Sequence, residues 1–208
     1  MQREEKRLAK EREKEFRKAL KRRVLKTGWK FSGGTIFRQE ESWFMANRPS
    51  LIRGGGVRQS FQVKPMEMDA LFWEIVRLSE NNMQPLSFRT NGAWVLRPPS
   101  IDENSNLDIS AINDLVEVVF DWSEQWRSKH LETYSIDALL SSLGPLDQLK
   151  GQHRTVAICS LSLLKKYQQA LDLCPLNTND AGGFSIRGSE TFYTCARVWL
   201  EEKISNNQ

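Results

Sequence analysis

The spacing of apolar residues changes along the chain, and this change limits the folds that it can adopt. Between Val57 and Lys64 apolar and polar residues alternate, which places Phe61 and Val63 on one face of a strand and Arg58 and Lys64 on the other. In the second half, apolar residues recur every three or four positions, as in helices that bury one face. The sequence therefore predicts an α+β fold: a mostly antiparallel sheet flanked by helices, with a helical C-terminal region.

Turn residues separate the predicted elements. Six strands are predicted, at residues 29–31, 35–39, 43–47, 57–64, 86–89 and 93–96. The last two are joined by Asn91-Gly92, a dipeptide typical of tight hairpins. Helices are predicted near residues 14–26, 65–80, 110–130, 136–143, 154–173 and 189–204.

The composition divides the chain into four predicted parts. Residues 1–13 are mostly Lys, Arg and Glu with little to bury, so we expect an exposed, charged helical extension. Residues 14–97 are the predicted α+β domain. Residues 98–106 contain two prolines and several polar residues, which is typical of a linker. Residues 107–204 are the predicted helical region.

Charge is distributed unevenly between the two parts of the sequence. Residues 1–64 hold 18 Lys and Arg against 7 Asp and Glu, whereas residues 65–208 hold 12 against 19. The corresponding net charges are +11 and −7. Three interpretations follow: the basic part binds nucleic acid, binds an acidic protein partner, or lies against the chain's own acidic half.

The residues that most often carry chemistry are few and widely spaced. Cys159, Cys174 and Cys195 have neither the number nor the spacing of a disulfide framework or a zinc knuckle, and His130 and His153 bring no further ligand pair. No nucleophile elbow and no convergent carboxylate pair is recognisable in the sequence. We therefore expect no metal, no cofactor and no enzymatic activity.

Two basic segments are candidates for anion binding. The glycines between Arg53 and Arg58 lead into a strand and lack the Lys-Ser/Thr pair of a phosphate loop, so a hairpin loop is the simpler interpretation. Arg17–Lys26 has six positive charges and no acid, which is compatible with a nucleic-acid face. The glutamates within residues 4–15 would repel phosphate. An exposed charged face, or a dock for the acidic helix around residues 114–124, explains the segment as well.

The sequence predicts a cytoplasmic protein without a membrane segment. No apolar run approaches the roughly 18 residues that a bilayer crossing requires. The N-terminus lacks the apolar region of a signal peptide. The oligomeric state stays open.

The stretch Phe16–Asn47 resembles the start of a bacterial family known as domain of unknown function 4304. The resemblance is carried by Gly28-Trp29-Lys30, by Gly34-Thr35-Ile36-Phe37-Arg38 and by Phe44–Asn47, which follow an amphipathic helix. It implies a helix followed by antiparallel strands, and longer relatives also carry a helical C-terminal half. Such domains resemble small proteins of bacterial conflict and immunity loci, and the resemblance implies no catalytic residues.

These observations favour a non-enzymatic bacterial binding protein, an immunity or defence-associated factor that acts by protein–protein contact. Arg and Trp are the residues that most often anchor such contacts. The predicted contact residues are Arg38, Trp43, Arg48, Arg53 and Arg58. The alternative is a nucleic-acid-binding protein that uses the basic N-terminal helix and strands.

Overall fold

The computed structural model describes residues 2–52, 55–92, 95–106, 109–130, 133–175, 185–187 and 190–206. Within them, the fold is α+β, as the sequence predicted. The chain divides into two compact units, and each unit is built from two stretches of sequence. Unit 1 comprises residues 1–63 and 100–133, and unit 2 comprises residues 64–99 and 134–208.

Unit 1 contains the sheet and two long helices. Its elements are α1 (Gln2–Val24), β1 (Lys30–Ser32), β2 (Thr35–Glu40), β3 (Trp43–Asn47), β4 (Ser50–Leu51), β5 (Val57–Pro65), β6 (Asp102–Asn106) and α4 (Ile112–His130). The last two residues of β5 belong to unit 2. Along the sheet, β1, β2, β3 and β5 are neighbours in that order, and β5 also pairs with β4 and β6. The registers pair Ile36 with Asn47 and Phe61 with Asp102, both antiparallel.

The core of unit 1 forms where α1 and α4 bury their apolar stripes. On α1 the buried apolar side chains recur at helical spacing and comprise Phe16, Ala19, Leu20 and Val24. On α4 the buried side chains also recur at helical spacing and comprise Leu115, Val116, Val119, Phe120, Ser123 and Trp126. Phe61 of β5 is fully buried, with its ring centroid 4.3 Å from that of Trp126, 5.8 Å from that of Trp122 and 6.3 Å from that of Trp29.

Unit 2 is mainly helical. Its elements are α2 (Met66–Ile75), α3 (Phe88–Asn91), α5 (Ile136–Ser142), α6 (Gly151–Leu163), α7 (Tyr167–Asp172), β7 (Ser185–Arg187), β8 (Glu190–Thr191) and α8 (Phe192–Ser205), with 3₁₀ turns at Ser79–Met83 and Leu146–Gln148. Residues 155–162 of α6 are buried on every side, which makes α6 the central helix of this unit. The ring of Phe72 on α2 stacks on that of Phe192 on α8 at 5.3 Å.

The structure corrects three of the predicted elements. The Asn91-Gly92 hairpin is wrong: residues 88–91 are helical, and the Gly92 amide donates to Phe88 O, while residues 93–94 lie outside the described part. The predicted linker contains β6, which gains its backbone hydrogen bonds by pairing with β5. The helix predicted at 154–173 is interrupted at Lys165, whose φ of 58° lies in the left-handed region and ends regular helix.

Other local predictions are confirmed. The helix predicted at residues 136–143 is present as α5, and the Oγ atom of Ser135 caps it by accepting a hydrogen bond from the Ala138 amide at 3.1 Å. On β5, Phe61 and Val63 are buried and Arg58 is exposed.

In the described residues, no helix combines the length and apolar character needed to cross a bilayer.

Replacing Phe61 by alanine should destabilise unit 1 strongly. We expect a loss of about 3–5 kcal/mol in the free energy of unfolding, because the substitution leaves a cavity between β5 and three tryptophans. Chemical unfolding followed by circular dichroism measures this loss. Met83→Ala is the control, because Met83 is 90% exposed, and it should change the free energy by less than about 0.5 kcal/mol. A similar effect of both substitutions would contradict a central role for Phe61.

Candidate functional site

Arg38, a predicted contact residue, is engaged within unit 1. Its Nε lies 3.0 Å from Glu40 Oε2, and its Nη1 donates to Thr27 O at 3.5 Å. A Cβ at Gly28, whose φ is +83°, would lie only 3.1 Å from Arg38 Nη1, so backbone and guanidinium are closely packed. The charge of Arg38 is thus partly neutralised by a neighbour two residues along the same face of β2.

The carboxylate of Glu40 links the sheet to α4. Arg127 places Nη1 3.1 Å from Glu40 Oε1 and Nη2 3.0 Å from Glu124 Oε2. Glu124 in turn accepts a hydrogen bond from the indole of Trp29. Burial acts to lower the pKa of Arg127, but the hydrogen bonds and charges of Glu124 and Glu40 outweigh it, and the pKa is raised. These ion pairs lie between α4 and the sheet.

The sheet separates the other predicted contact residues. Trp43 lies opposite Glu40 in the register and is half-buried, on the same face of the sheet as Arg38. Arg58 is exposed and lies on the opposite face of β5 from Phe61. Arg48 is half-buried, and its amide donates to Ser60 O at 2.9 Å. Arg53 lies outside the described residues. The described candidates therefore do not converge on one surface, and their role in binding stays a prediction.

Helix α1 packs on α4, and one of its basic side chains makes the main charged contact. Arg23 Nε lies 2.9 and 2.8 Å from the two carboxylate oxygens of Glu117, and its guanidinium carbon is 3.7 Å from the centroid of the Phe120 ring. Arg12 donates to Ser110 O at 2.8 Å. Part of the basic N-terminal segment thus lies against acidic sequence, which is one of the three interpretations of the charge pattern.

The two units contain much less charge asymmetry than the two parts of the sequence. Unit 1 holds 19 Lys and Arg against 15 Asp and Glu, a net charge of +4, because it includes the acidic residues 100–133. Unit 2 holds 11 of each and is neutral. Folding therefore removes most of the asymmetry seen along the sequence.

Besides the paired side chains, α1 carries a group of exposed cations on its outer side. We define the basic face as Lys14, Lys18, Lys21 and Arg22, which recur at helical spacing and are all exposed. Among the described residues, none of these four makes an ion pair, whereas Arg7, Arg17 and Arg23 each do. Lys21 and Arg22 also lie in the last turn, where a cation is favoured by the helix dipole.

The cysteines lack the character of nucleophiles. Burial raises the pKa of the Cys174 thiol to about 11, and it also raises the pKa of Cys159 and of Cys195. A thiol that stays protonated at neutral pH is a poor nucleophile and a poor metal ligand. Among the described residues, no group of three or more His, Cys, Asp or Glu could hold a metal ion.

A buried charged cluster in unit 2 was missed by the sequence analysis. The alternation along the strand placed Lys64 on the same polar face as Arg58, but Lys64 is only 2% exposed. Its Nζ donates to Asp69 Oδ1 at 2.8 Å and to Leu96 O at 2.7 Å. The other oxygen of Asp69 accepts from Arg89 Nη1 at 2.7 Å. The cluster connects α2 to the segment that follows α3, and both carboxylate oxygens of Asp69 accept hydrogen bonds within it.

Comparisons with protein-family models, with curated proteins and with solved structures found no match. The resemblance to the domain of unknown function 4304 therefore stays a prediction. On the basis of the contacts described above, the basic face of α1 is the candidate functional site.

Replacing Asp69 by asparagine should destabilise the protein by about 3–5 kcal/mol, because the buried Lys64 and the mostly buried Arg89 both lose the negative charge that they share. Chemical unfolding measures the loss. The control is Asp137→Asn: Asp137 is 67% exposed and lies 3.6 Å from Lys166, so we expect a change below about 1 kcal/mol. Equal effects would show that the buried cluster contributes no more than a surface pair.

Thiol labelling tests the burial of the cysteines. We expect iodoacetamide at neutral pH to leave Cys159 and Cys174 unmodified in the folded protein, because both are buried and protonated. Unfolding in urea should expose both to rapid labelling. Peptide mass spectrometry resolves each site, and the half-buried Cys195 is the internal reference. Rapid modification of Cys174 in the folded state would contradict the structure at that position.

Proposed function

We propose that this chain is a non-enzymatic binding protein whose basic face on α1 contacts an acidic surface of a partner protein. The observation that supports it is the group of four exposed cations without an ion pair among the described residues, on a helix whose opposite side is anchored in a core. A preformed helix keeps such side chains in register, so binding costs less ordering than it would for a disordered segment.

The charges around the basic face favour a protein partner over nucleic acid. Glu15 is exposed beside Lys14 and Lys18 on α1, and Asp114 and Asp121 are exposed on the adjoining α4. A phosphate backbone presents negative charge throughout and would be repelled by these carboxylates. A protein surface with both signs of charge can match the cations and avoid the acids.

The resemblance to the domain of unknown function 4304 gives the proposal its biological setting. It implies a likeness to small proteins of bacterial conflict and immunity loci, and we propose that the chain acts by occluding its partner. Arg48 and Arg58 remain candidates for a second contact region, and Trp43 and Arg38 for a third.

Nucleic-acid binding is the second candidate, because Arg17–Lys26 carries six positive charges and no acid. Three of these, Lys18, Lys21 and Arg22, belong to the basic face. Both candidates therefore use the same surface, and they differ in how binding responds to salt and in what is captured.

Site-specific photo-crosslinking in the native host cell tests the proposal. A photoreactive amino acid replaces Lys14, and the same residue placed at Ser141, an exposed position of unit 2, is the control site. We expect position 14 to give a discrete protein adduct that Lys18→Gln with Arg22→Gln reduces about tenfold, since both cations are lost. Mass spectrometry identifies the adduct.

A control double variant distinguishes the effect of the charges on the basic face from the effect of the net charge of the protein. Lys150→Gln with Arg97→Gln removes the same two charges from exposed positions of unit 2 and should leave the adduct unchanged. Loss of the adduct in both double variants, or identical adducts from positions 14 and 141, would overturn the proposal. A nuclease-sensitive adduct would replace it by the nucleic-acid alternative.

The salt dependence of duplex binding tests the nucleic-acid alternative directly. Binding of the purified protein to a labelled 20-base-pair duplex is measured by fluorescence anisotropy between 50 and 200 mM salt. Contacts from four cations would give a log–log slope near −3.6, at about −0.9 per phosphate. We expect instead weak binding that the Lys18→Gln, Arg22→Gln variant leaves nearly unchanged. A steep slope that these substitutions flatten would favour nucleic acid.

A further inference from the structure

Four side chains from three helices meet at the surface of unit 2. The indole Nε1 of Trp199, on α8, donates to Glu74 Oε1 on α2 at 2.8 Å. The ring of Tyr167, on α7, lies edge-on to that of Trp199, with centroids 6.0 Å apart and an interplanar angle of 76°. Lys203, one turn after Trp199 on α8, completes the group. We call Trp199, Tyr167 and Glu74 the Trp199 site.

The ammonium of Lys203 lies in this site. Its Nζ is 4.8 Å from the centroid of the Trp199 ring and 3.8 Å from Glu74 Oε1. The face of an indole attracts cations, and a carboxylate beside it strengthens the attraction. The hydrogen bond from the indole fixes Glu74 against the ring, so carboxylate and ring hold one arrangement. These are the chemical requirements of a site for an alkylammonium group.

We infer that the Trp199 site binds an alkylammonium group from outside the chain, and that Lys203 is its internal occupant. The Lys203 side chain is 40% exposed and that of Glu74 is 53% exposed, so an ammonium can enter from solvent. Contacts between exposed ions are weak, and the flexible Lys203 side chain can leave for water at little cost. A methylated ammonium is less strongly hydrated than a primary one and is the better ligand for an aromatic face.

The same chemistry occurs in free quaternary amines and in methylated lysine side chains of proteins. The site is independent of the proposed function, because it lies in unit 2 and takes a cation, whereas the basic face of α1 takes an anionic surface. Failure of one proposal therefore leaves the other standing.

Titration of the Lys203→Gln variant tests the inference. The probe is tetramethylammonium chloride, and the signal is the Trp199 indole resonance in a ¹⁵N–¹H spectrum, assigned by its loss in Trp199→Phe. We expect a saturable shift in Lys203→Gln with a half-saturation concentration about tenfold below that of the unsubstituted chain, because the competing side chain is gone. Sodium chloride at equal ionic strength and the uncharged tert-butyl alcohol are the ligand controls.

A second variant isolates the charge of the site. Glu74→Gln keeps an oxygen that can accept from the Trp199 indole but removes the negative charge, and it should weaken tetramethylammonium binding about tenfold in the Lys203→Gln background. A non-saturable shift, a shift reproduced by sodium chloride or tert-butyl alcohol, or equal half-saturation with and without Lys203 would overturn the inference.

A third arm distinguishes the two sources of the ligand. A short peptide with one trimethyl-lysine is titrated against Lys203→Gln beside tetramethylammonium and beside the same peptide with unmodified lysine. Tighter binding of the methylated peptide than of tetramethylammonium identifies a protein side chain as the ligand. Equal binding identifies a free amine, since the peptide then adds no contact of its own.

Discussion

Burial of Phe61 against α4 is the interaction on which the rest of unit 1 depends. Its ring stacks on Trp126 at 4.3 Å and meets Trp122 edge-on, which fixes α4 on one face of the sheet. A helix fixed in this way carries its acidic side chains with it. Glu117 is then beside Arg23 of α1, and Glu124 is beside Arg127 and Trp29. The charged contacts are thus consequences of apolar packing, in keeping with the modest stability that half-exposed ion pairs contribute.

The parts of the fold that could be predicted from the sequence are those with a local cause. Alternation along β5 predicted the buried Phe61 and the exposed Arg58, because one face of a strand is buried at every second residue. Lys64 broke this rule, because Asp69 and Leu96 approach it from other elements and supply hydrogen bonds that a strand pattern cannot show. Asn91-Gly92 does not form the predicted hairpin turn. Gly92 has φ −62° and ψ 155°, which lies outside the left-handed region that such a turn requires.

The candidate site could be predicted only in part from the sequence pattern. Helical spacing predicted an exposed charged face on α1, since the apolar stripe of Phe16, Leu20 and Val24 defines its opposite side. Arg38 was predicted as a contact residue, although Glu40 two positions later on the same strand face was a signal that its charge would be matched. The sequence offered the acidic helix around residues 114–124 as one dock for the basic segment. The individual pairing of Arg23 with Glu117, which spans 94 residues of sequence, follows only from the packing of α1 on α4.

Net charge along a sequence and charge on a folded surface are different quantities, and this chain separates them clearly. The imbalance of +11 and −7 becomes +4 for unit 1 and zero for unit 2 once residues 100–133 join the basic N-terminal part. A partner does not respond to either sum, because at physiological ionic strength a charge is screened over about 8 Å. It responds to the charges within that distance. On α1 the charges that a partner meets include the exposed Lys14, Lys18, Lys21 and Arg22, and Glu15 is exposed beside them. We propose that this arrangement, in which an acid lies among the cations, favours a partner whose own charges form a matching pattern of both signs.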